Sequence, residues 1–209
     1  MIKNLLFDLG GVIINLNRAR AVQRFEAIGL KDADKILGEY AQQGPFGALE
    51  SGAISVGEFH QRMSDLIPGG ASAEAIDSAF LAFLDTIPTA RLEALQRLRK
   101  HFGIYLLSNT NILMWNTEIR NQFRQNGLDT EDYFDGIVTS FEARVMKPSP
   151  EIFRYAETKL NIRPDETLFL DDSELNCRAA ADEGWHTLHV TPDKEFTELL
   201  RDYFEHNPQ

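Results

Sequence analysis

Five short runs of apolar residues, most of them ending in polar or acidic residues, divide the chain. They read IKNLLFDL, GIYLLSN, DGIVTS, TLFLDD and WHTLHV, at residues 2–9, 103–109, 135–140, 167–172 and 185–190. Their hydrophobicity is continuous rather than alternating, which is typical of parallel strands covered on both faces. Amphipathic helical segments separate most of the runs. The pattern therefore predicts a doubly wound, Rossmann-like α/β fold with a parallel sheet.

Two of the helices that follow these runs carry clear start signals. Ser149 and Pro150 supply an N-cap and a first-turn proline for one helix. Asp172 and Ser173 can cap another helix, which ends near Gly184.

The segment after the first run offers helical patterns in succession, with no strand between them. Asn17 can cap a helix that stops at Gly29, and Ser55 with Glu58 forms a capping box for a second helix. A third helix is predicted to start near Ser72. These signals indicate a helical insertion in the α/β fold.

An insertion at this point of the chain would lie over the carboxyl ends of the strands, where open α/β sheets bind ligands. We expect a core domain of residues 1–16 and 88–209 and an all-helical cap of residues 17–87. Within the cap, residues 38–55 carry four glycines and are interpreted as a helix–loop–helix connection. The alternative is a loop that contacts the substrate and closes over the site.

Charge and composition narrow the partners and the setting. The chain has 209 residues and a formal charge of −11, which argues against nucleic acid or anionic membrane as partners. The single cysteine, Cys177, cannot form an intramolecular disulfide, and Asp8 interrupts the first apolar run too early for a signal peptide. We expect a reducing, cytoplasmic setting, while no sequence feature addresses the oligomeric state.

Chemistry-bearing residues collect at the predicted strand ends. Because the carboxyl ends of parallel strands meet at one edge of the sheet, they should share one crevice. The set consists of Asp8, Ser108, Asn109, Lys147, Asp171 and Asp172.

Three of these side chains are carboxylates, and only Lys147 opposes them. Like carboxylates at close range cannot all ionise without compensation, so a cation is needed. An all-oxygen donor set with a substrate phosphate suits Mg²⁺. Gly10 and Gly11 would allow backbone groups to approach a bound anion and metal closely.

Four motifs, FDLGGV, LLSNT, KPSP and FLDDSELN, occur in this order along the chain. Together they resemble the haloacid dehalogenase-like hydrolase superfamily. The match is best to the subgroup of bacterial glucose-1-phosphate phosphatases and the phosphatase domain of soluble epoxide hydrolases. The resemblance implies an α/β core with a helical cap, and a Mg²⁺-dependent phosphatase of a small phosphorylated metabolite such as a sugar phosphate.

The resemblance also implies roles for particular residues. Asp8 would be the nucleophile and form an aspartyl-phosphate. Asp8, the Gly10 carbonyl and Asp172 would hold Mg²⁺, with Asp171 in support. The phosphoryl oxygens would be bound by three groups: Ser108, the backbone N–H of Asn109, and Lys147.

The chain departs from the family pattern at one position. Most phosphatases of the superfamily have a second aspartate two residues after the nucleophile, where this chain has Gly10. Asn15 and Asn17 stand where aspartates occur in the glucose-1-phosphate phosphatase subgroup. No acid or base side chain occurs from Leu9 to Asn17. General acid–base help is worth about 10²- to 10⁴-fold, so turnover should be slow unless another group substitutes. A leaving group of low pKa, such as an anomeric oxygen or an acyl phosphate, would need that help least.

Two other functions remain open at the level of sequence. A haloacid dehalogenase on the same scaffold needs the aspartate nucleophile but no metal, and the Asp171–Asp172 pair argues against it. A phospho-ligand-binding protein with little turnover would follow from Gly10. Halide release from a haloacid without Mg²⁺ would favour the first, and tight phosphate binding without hydrolysis would favour the second.

Overall fold

The computed structural model describes residues 1–38 and 44–207. Within these ranges it contains one sheet of five parallel strands in the order β3-β2-β1-β4-β5. The strands are β1 (Asn4–Phe7), β2 (Gly103–Ser108), β3 (Gly136–Thr139), β4 (Thr167–Asp171) and β5 (His186–His189). Each lies inside one of the five predicted runs, which confirms the doubly wound α/β fold.

Register places the functional strand ends side by side. The central strand β1 pairs with β2 and β4, and Phe7 lies level with Leu106 and Leu170. Leu5 and Phe7 pack into one apolar cluster, whereas Leu6 packs into a second cluster. Both faces of the sheet are therefore covered, as the continuous hydrophobic pattern predicted.

Six helices are inserted between β1 and β2 in the described part of the chain. They are α1 (Arg18–Ala27), α2 (Ala33–Ile36), α3 (Gly44–Glu50), α4 (Val56–Leu66), α5 (Ala73–Leu81) and α6 (Thr89–Leu98). The predicted caps are confirmed: Asn17 accepts from the Arg20 N–H at 3.0 Å, Ser55 and Glu58 form a capping box, and Ser72 caps α5.

The remaining helices surround the sheet. Between β2 and β3 lie α7 (Ile112–Met114), a π-helical turn (Trp115–Ile119), α8 (Arg120–Phe123), a 3₁₀ turn (Arg124–Asn126) and α9 (Thr130–Tyr133). The later elements are α10 (Ser140–Ala143), α11 (Pro150–Leu160), a 3₁₀ turn (Pro164–Glu166), α12 (Glu174–Asp182) and α13 (Phe196–His206). Pro150 begins α11 as predicted, and Ser173 rather than Asp172 is the N-cap of α12.

Aromatic packing forms the centre of the inserted helices. Phe46 lies 5.2 Å from Phe25, 5.5 Å from Phe59 and 4.9 Å from Phe80, measured between ring centroids. Phe46 belongs to α3, within the stretch interpreted from sequence as a connection. The glycines at positions 44 and 47 lower the helix propensity of this stretch, so α3 was not predicted from sequence. Tertiary packing stabilises the helix. Residues 39–43 of the same stretch lie outside the described residues.

A short two-stranded ribbon joins helices α1–α5 to the core, and α6 follows it. The Asn15 N–H donates to the Thr86 carbonyl at 3.0 Å, and the Asp85 N–H donates to the Asn15 carbonyl at 2.8 Å. The Asn17 N–H donates to the Phe83 carbonyl at 2.7 Å. The two chain crossings therefore lie together.

None of the helices in residues 1–38 and 44–207 is long and apolar enough to cross a membrane.

Candidate active site

Asp8 lies at the carboxyl end of the central strand. Its backbone N–H donates to the Leu170 carbonyl at 2.8 Å, which continues the β1–β4 ladder. Its Oδ1 accepts from the Leu9 N–H at 2.7 Å and lies 2.8 Å from Lys147 Nζ. The residue is 8% exposed. The side chain is therefore held at the rim of the sheet with part of its surface open to a ligand.

Lys147 is the cation of this site. Its Nζ lies 2.7 Å from Asp171 Oδ2 and also donates to the Leu107 carbonyl at 3.1 Å. Burial alone would lower the pKa of Lys147, but the charges of Asp171 and Asp8 outweigh it and hold the pKa above its ordinary value. Lys147 is therefore charged throughout the neutral range.

Ser108 and Asn109 complete the strand end on the β2 side. The Asn109 side chain accepts from the Lys147 N–H at 2.9 Å and donates to the Lys147 carbonyl at 2.9 Å. This reciprocal pair fixes the loop that carries the lysine. Ser108 is 1% exposed and, with Asn109, lines the cavity described below. The predicted substrate-binding residues are thus brought together.

Asp8, Asp171 and Asp172 form a cluster of three carboxylates. One oxygen from each lies within 4.8 Å of the others. Asp171 is fully buried, and its Oδ1 also accepts from the Ser173 N–H at 2.8 Å and from Asn176 Nδ2 at 3.0 Å. With Lys147 on its other oxygen, Asp171 is largely saturated. Asp8 and Asp172 are left as the more available ligands.

Electrostatics show that the carboxylate cluster lacks positive charge. Burial raises the pKa of Asp8 to about 8, with the Asp171 and Asp172 charges adding to the effect and Lys147 opposing it. Burial and then the Asp171 charge raise the pKa of Asp172 to about 6. A single lysine thus does not compensate three carboxylates. An all-oxygen donor set of this kind fits a hard divalent cation such as Mg²⁺.

The Gly10–Gly11 turn sits against this cluster. Gly11 has a φ of +70°, and a Cβ at this position would lie 2.1 Å from Asp172 Oδ2. Only glycine therefore allows Asp172 to approach the turn. The Gly11 N–H donates to the Ile14 carbonyl at 2.9 Å, so it is used inside the turn and is not offered to an anion.

A cavity of about 60 Å³ lies between this strand edge and the inserted helices. Its polar wall includes Gly10, Ser108 and Asn109, and much of the rest is apolar. Among the described residues that line this cavity, only Glu50, at the end of α3, has a titratable side chain. Burial, and then the charge of Asp8, raises the pKa of Glu50 to about 8.

Two residues of this site were missed by sequence reasoning. Asn176 lies in the FLDDSELN motif, so its proximity to Asp171 in sequence was visible, but its hydrogen bond to Asp171 could not be predicted. Glu50 stands in GALESGAIS, which gave no signal beyond an acidic residue in a glycine-rich stretch. Its arrival at the cavity depends on how the inserted helices pack on the core.

This α/β core, the helical insertion after its first strand and the carboxylate–lysine cluster define a haloacid dehalogenase-like hydrolase. The profile of that family matches residues 2–184, and the chain belongs to it.

The chain is also similar to individual members of known activity or structure. It is 37% identical to a D-ribitol-5-phosphate phosphatase of Bacteroides thetaiotaomicron, covering 90% of this chain and 91% of that protein. Identity to the mouse bifunctional epoxide hydrolase 2 is 27%, over 88% of this chain but only 35% of that protein. A HAD family enzyme of B. thetaiotaomicron, crystallised with magnesium and inorganic phosphate, superposes with a TM-score of 0.88 at 38% identity, over 95% of this chain and 99% of that one.

Proposed function

We propose that this protein is a Mg²⁺-dependent phosphatase of a small phosphate monoester, with a phosphorylated sugar or sugar alcohol as its substrate. The observation that carries the proposal is the Asp8 carboxylate, which lies between Lys147 and the other two carboxylates at the rim of the sheet. The substrate class follows the 37% identical ribitol phosphate phosphatase. The magnesium and phosphate bound by the related crystal structure support the ligand set.

Asp8 attacks the phosphorus atom and forms an aspartyl-phosphate, which water then hydrolyses. Ser108, the Asn109 N–H and Lys147 bind the phosphoryl oxygens and stabilise the charge that they carry in the transition state. The position of Lys147 Nζ, 2.8 Å from Asp8 Oδ1, suits it to contact both the nucleophile and the phosphoryl group.

Asp8, the Gly10 carbonyl and Asp172 would hold Mg²⁺, and the ion would supply the positive charge that the cluster lacks. The close approach of Asp172 to the Gly10–Gly11 turn supports this ligand set. Asp171 would support the ion indirectly, because its oxygens already accept from Lys147, Ser173 and Asn176.

Residues 17–87 act as a lid over this site. A cavity of about 60 Å³ is too small for a phosphorylated sugar, so the substrate enters this side of the site when the lid moves away from the core. The ribbon formed by residues 15–17 and 83–86 is the natural hinge, because both chain crossings pass through it.

Release of inorganic phosphate from ribitol 5-phosphate and from a panel of sugar phosphates tests the proposal. Activity should require Mg²⁺, disappear with excess chelator, and be lost in Asp8→Asn. Phosphate release that survives both changes would disprove the mechanism. Halide release from a haloacid without Mg²⁺ would identify a dehalogenase, and phosphate binding with no turnover across the panel would identify a binding protein.

A further inference from the structure

Loss of an alcohol from a phosphate ester requires a proton on the departing oxygen, because an alkoxide is a poor leaving group at neutral pH. The residues that bind the phosphoryl group do not supply it: Lys147 is held between Asp8 and Asp171, and the segment from Leu9 to Asn17 has no acid or base side chain. The proton donor must therefore belong to another element.

We propose that Glu50 transfers this proton: its carboxyl group protonates the leaving oxygen, and the resulting carboxylate then accepts a proton from the attacking water. The assignment rests on the proposed phosphatase function and on the position of Glu50. Among the described residues that line the cavity beside Gly10 and Ser108, Glu50 is the one with a titratable side chain.

Contacts with the core fix the end of α3. The Glu50 carbonyl accepts from the Ser140 hydroxyl at 2.7 Å, and that hydroxyl accepts from the Thr110 N–H at 3.0 Å. Two residues later, a Cβ at Gly52 would lie 2.3 Å from the Phe141 carbonyl oxygen, so the two backbones are in close contact. Ser140 and Thr110 follow β3 and β2, and Glu50 is thus tied to the same strand ends as Ser108.

Contacts within the inserted helices hold the other side of α3. Phe46, one helical turn before Glu50, is fully buried among Phe25, Phe59 and Phe80. The backbone of α3 is therefore held from both directions, and the Glu50 side chain starts from a fixed point at the cavity.

The surroundings of Glu50 favour its protonated form. Phe80, Phe83 and Leu84 line the same cavity, and burial with the nearby Asp8 charge keeps the Glu50 pKa well above that of an exposed glutamate. A general acid must carry its proton when the substrate binds, and this environment provides that state near neutral pH.

The two steps balance. In the first, the Asp8 oxygen–phosphorus bond forms, the bond from phosphorus to the leaving oxygen breaks, and the Glu50 proton goes to that oxygen. In the second, a water oxygen bonds to phosphorus, its proton returns to Glu50, and the bond from phosphorus to Asp8 breaks. The products are the free alcohol and inorganic phosphate, with both side chains restored.

The test compares wild type with Glu50→Gln on two esters, ribitol 5-phosphate and para-nitrophenyl phosphate. On the alkyl ester, kcat should fall by about 10²- to 10⁴-fold. Nitrophenolate leaves without a proton, so the variant should release about one nitrophenolate per site in a rapid burst and then turn over slowly. The aspartyl-phosphate should accumulate and appear in the intact mass of the protein.

Glu142→Gln is the matched control, because Glu142 is exposed and paired with Lys159. It should keep wild-type rates on both esters. Melting temperatures of all variants establish that each is folded.

Gly10→Asp provides a rescue of the Glu50→Gln variant. The φ of Gly10 lies outside the left-handed region, and the nearest obstacle to a Cβ is Leu16 Cδ1 at 3.0 Å, the end of a side chain that is 37% exposed. An aspartate therefore fits after a small shift of Leu16. The double variant should recover alkyl-ester turnover by about 10-fold or more.

Three results would overturn the assignment: wild-type rates in Glu50→Gln, an equal loss on both esters without a burst, or no recovery in the folded double variant. The proposed function is judged separately, by wild-type turnover of the alkyl ester. A wild-type enzyme that hydrolyses the ester while Glu50→Gln is unimpaired refutes only the role of Glu50. A wild-type protein that releases no phosphate from any ester of the sugar phosphate panel refutes both.

Discussion

Removing Lys147 should destabilise the metal-free protein strongly. The Lys147 side chain is 1% exposed, and its Nζ lies 2.8 Å from Asp8 Oδ1 and 2.7 Å from Asp171 Oδ2. Lys147→Met keeps the length and apolar stem of the side chain but removes the charge. Breaking a buried ion pair from one side costs about 3–5 kcal/mol, because the partner carboxylate stays buried and uncompensated.

That loss corresponds to a fall of about 6–20 °C in melting temperature, at about 2–4 °C per kcal/mol for a chain of this size. The deficit should grow with pH. Lys147 keeps its raised pKa above the neutral range, so its charge is constant there. Without it, the pKa of Asp8 rises further. A carboxyl group whose folded pKa lies above its unfolded pKa contributes stability at low pH that is lost as pH increases.

The measurement is thermal unfolding with chelator at about pH 5 and about pH 8, alongside Lys159→Met as the control. Lys159 Nζ lies 3.3 Å from Glu142, in a pair whose side chains are 36% and 51% exposed, and its loss should cost less than about 1 kcal/mol. Asp171→Asn in the Lys147→Met background should recover part of the stability, since it removes one uncompensated charge. A Lys147→Met melting temperature no lower than that of Lys159→Met would refute the electrostatic account.

Three further predictions concern the metal site and the lid. The pKa values of Asp8 and Asp172 are raised to about 8 and about 6, so both groups retain protons in the folded metal-free protein. Its stability should therefore fall as pH increases from about 4 to about 8, while the stabilisation by Mg²⁺ should rise. Melting temperatures with and without Mg²⁺ measure both effects. Gly11→Ala should lose Mg²⁺ affinity in titration calorimetry. Gly127→Ala is the control, because Gly127 has a similar φ of +75° and no atom lies within 4 Å of the added Cβ. The control should show only the cost of backbone strain, about 1–2 kcal/mol. Phe46→Ala should lower the unfolding free energy by about 3–5 kcal/mol in urea denaturation, and a loss below about 1 kcal/mol would contradict its place in the lid core.

The core and its strand ends were predictable because local signals sufficed. A strand covered on both faces must be apolar throughout, so each strand appeared as an uninterrupted run. The parallel arrangement then brought Asp8, Ser108 and Asp171 to one edge without any knowledge of side-chain contacts. The register of β1 with β2 and β4 confirms that step.

The helical insertion was predicted from sequence, but its contribution to the site was not, because that contribution is not local. The helix α3 contains glycines that weaken its helical signal, and it is stabilised by Phe46 packing against residues distant in sequence. Glu50 reaches the cavity through a hydrogen bond between its carbonyl and Ser140, which are 90 residues apart. No spacing rule connects those positions, so only the folded arrangement brings them together.

The core and the inserted helices contribute different groups to the proposed reaction. The core holds three carboxylates and one lysine, a set that gains stability from a cation and is ready to receive a phosphate ester. The inserted helices bring an apolar wall and Glu50, whose pKa is raised by burial against that wall and by the charge of Asp8. Opening of the lid would lower the pKa of Glu50 and remove it from the leaving oxygen at the same time. With the proposed role of Glu50, proton transfer would be confined to the closed state, and we expect the rate of alkyl-ester hydrolysis to depend on closure more than that of a nitrophenyl ester.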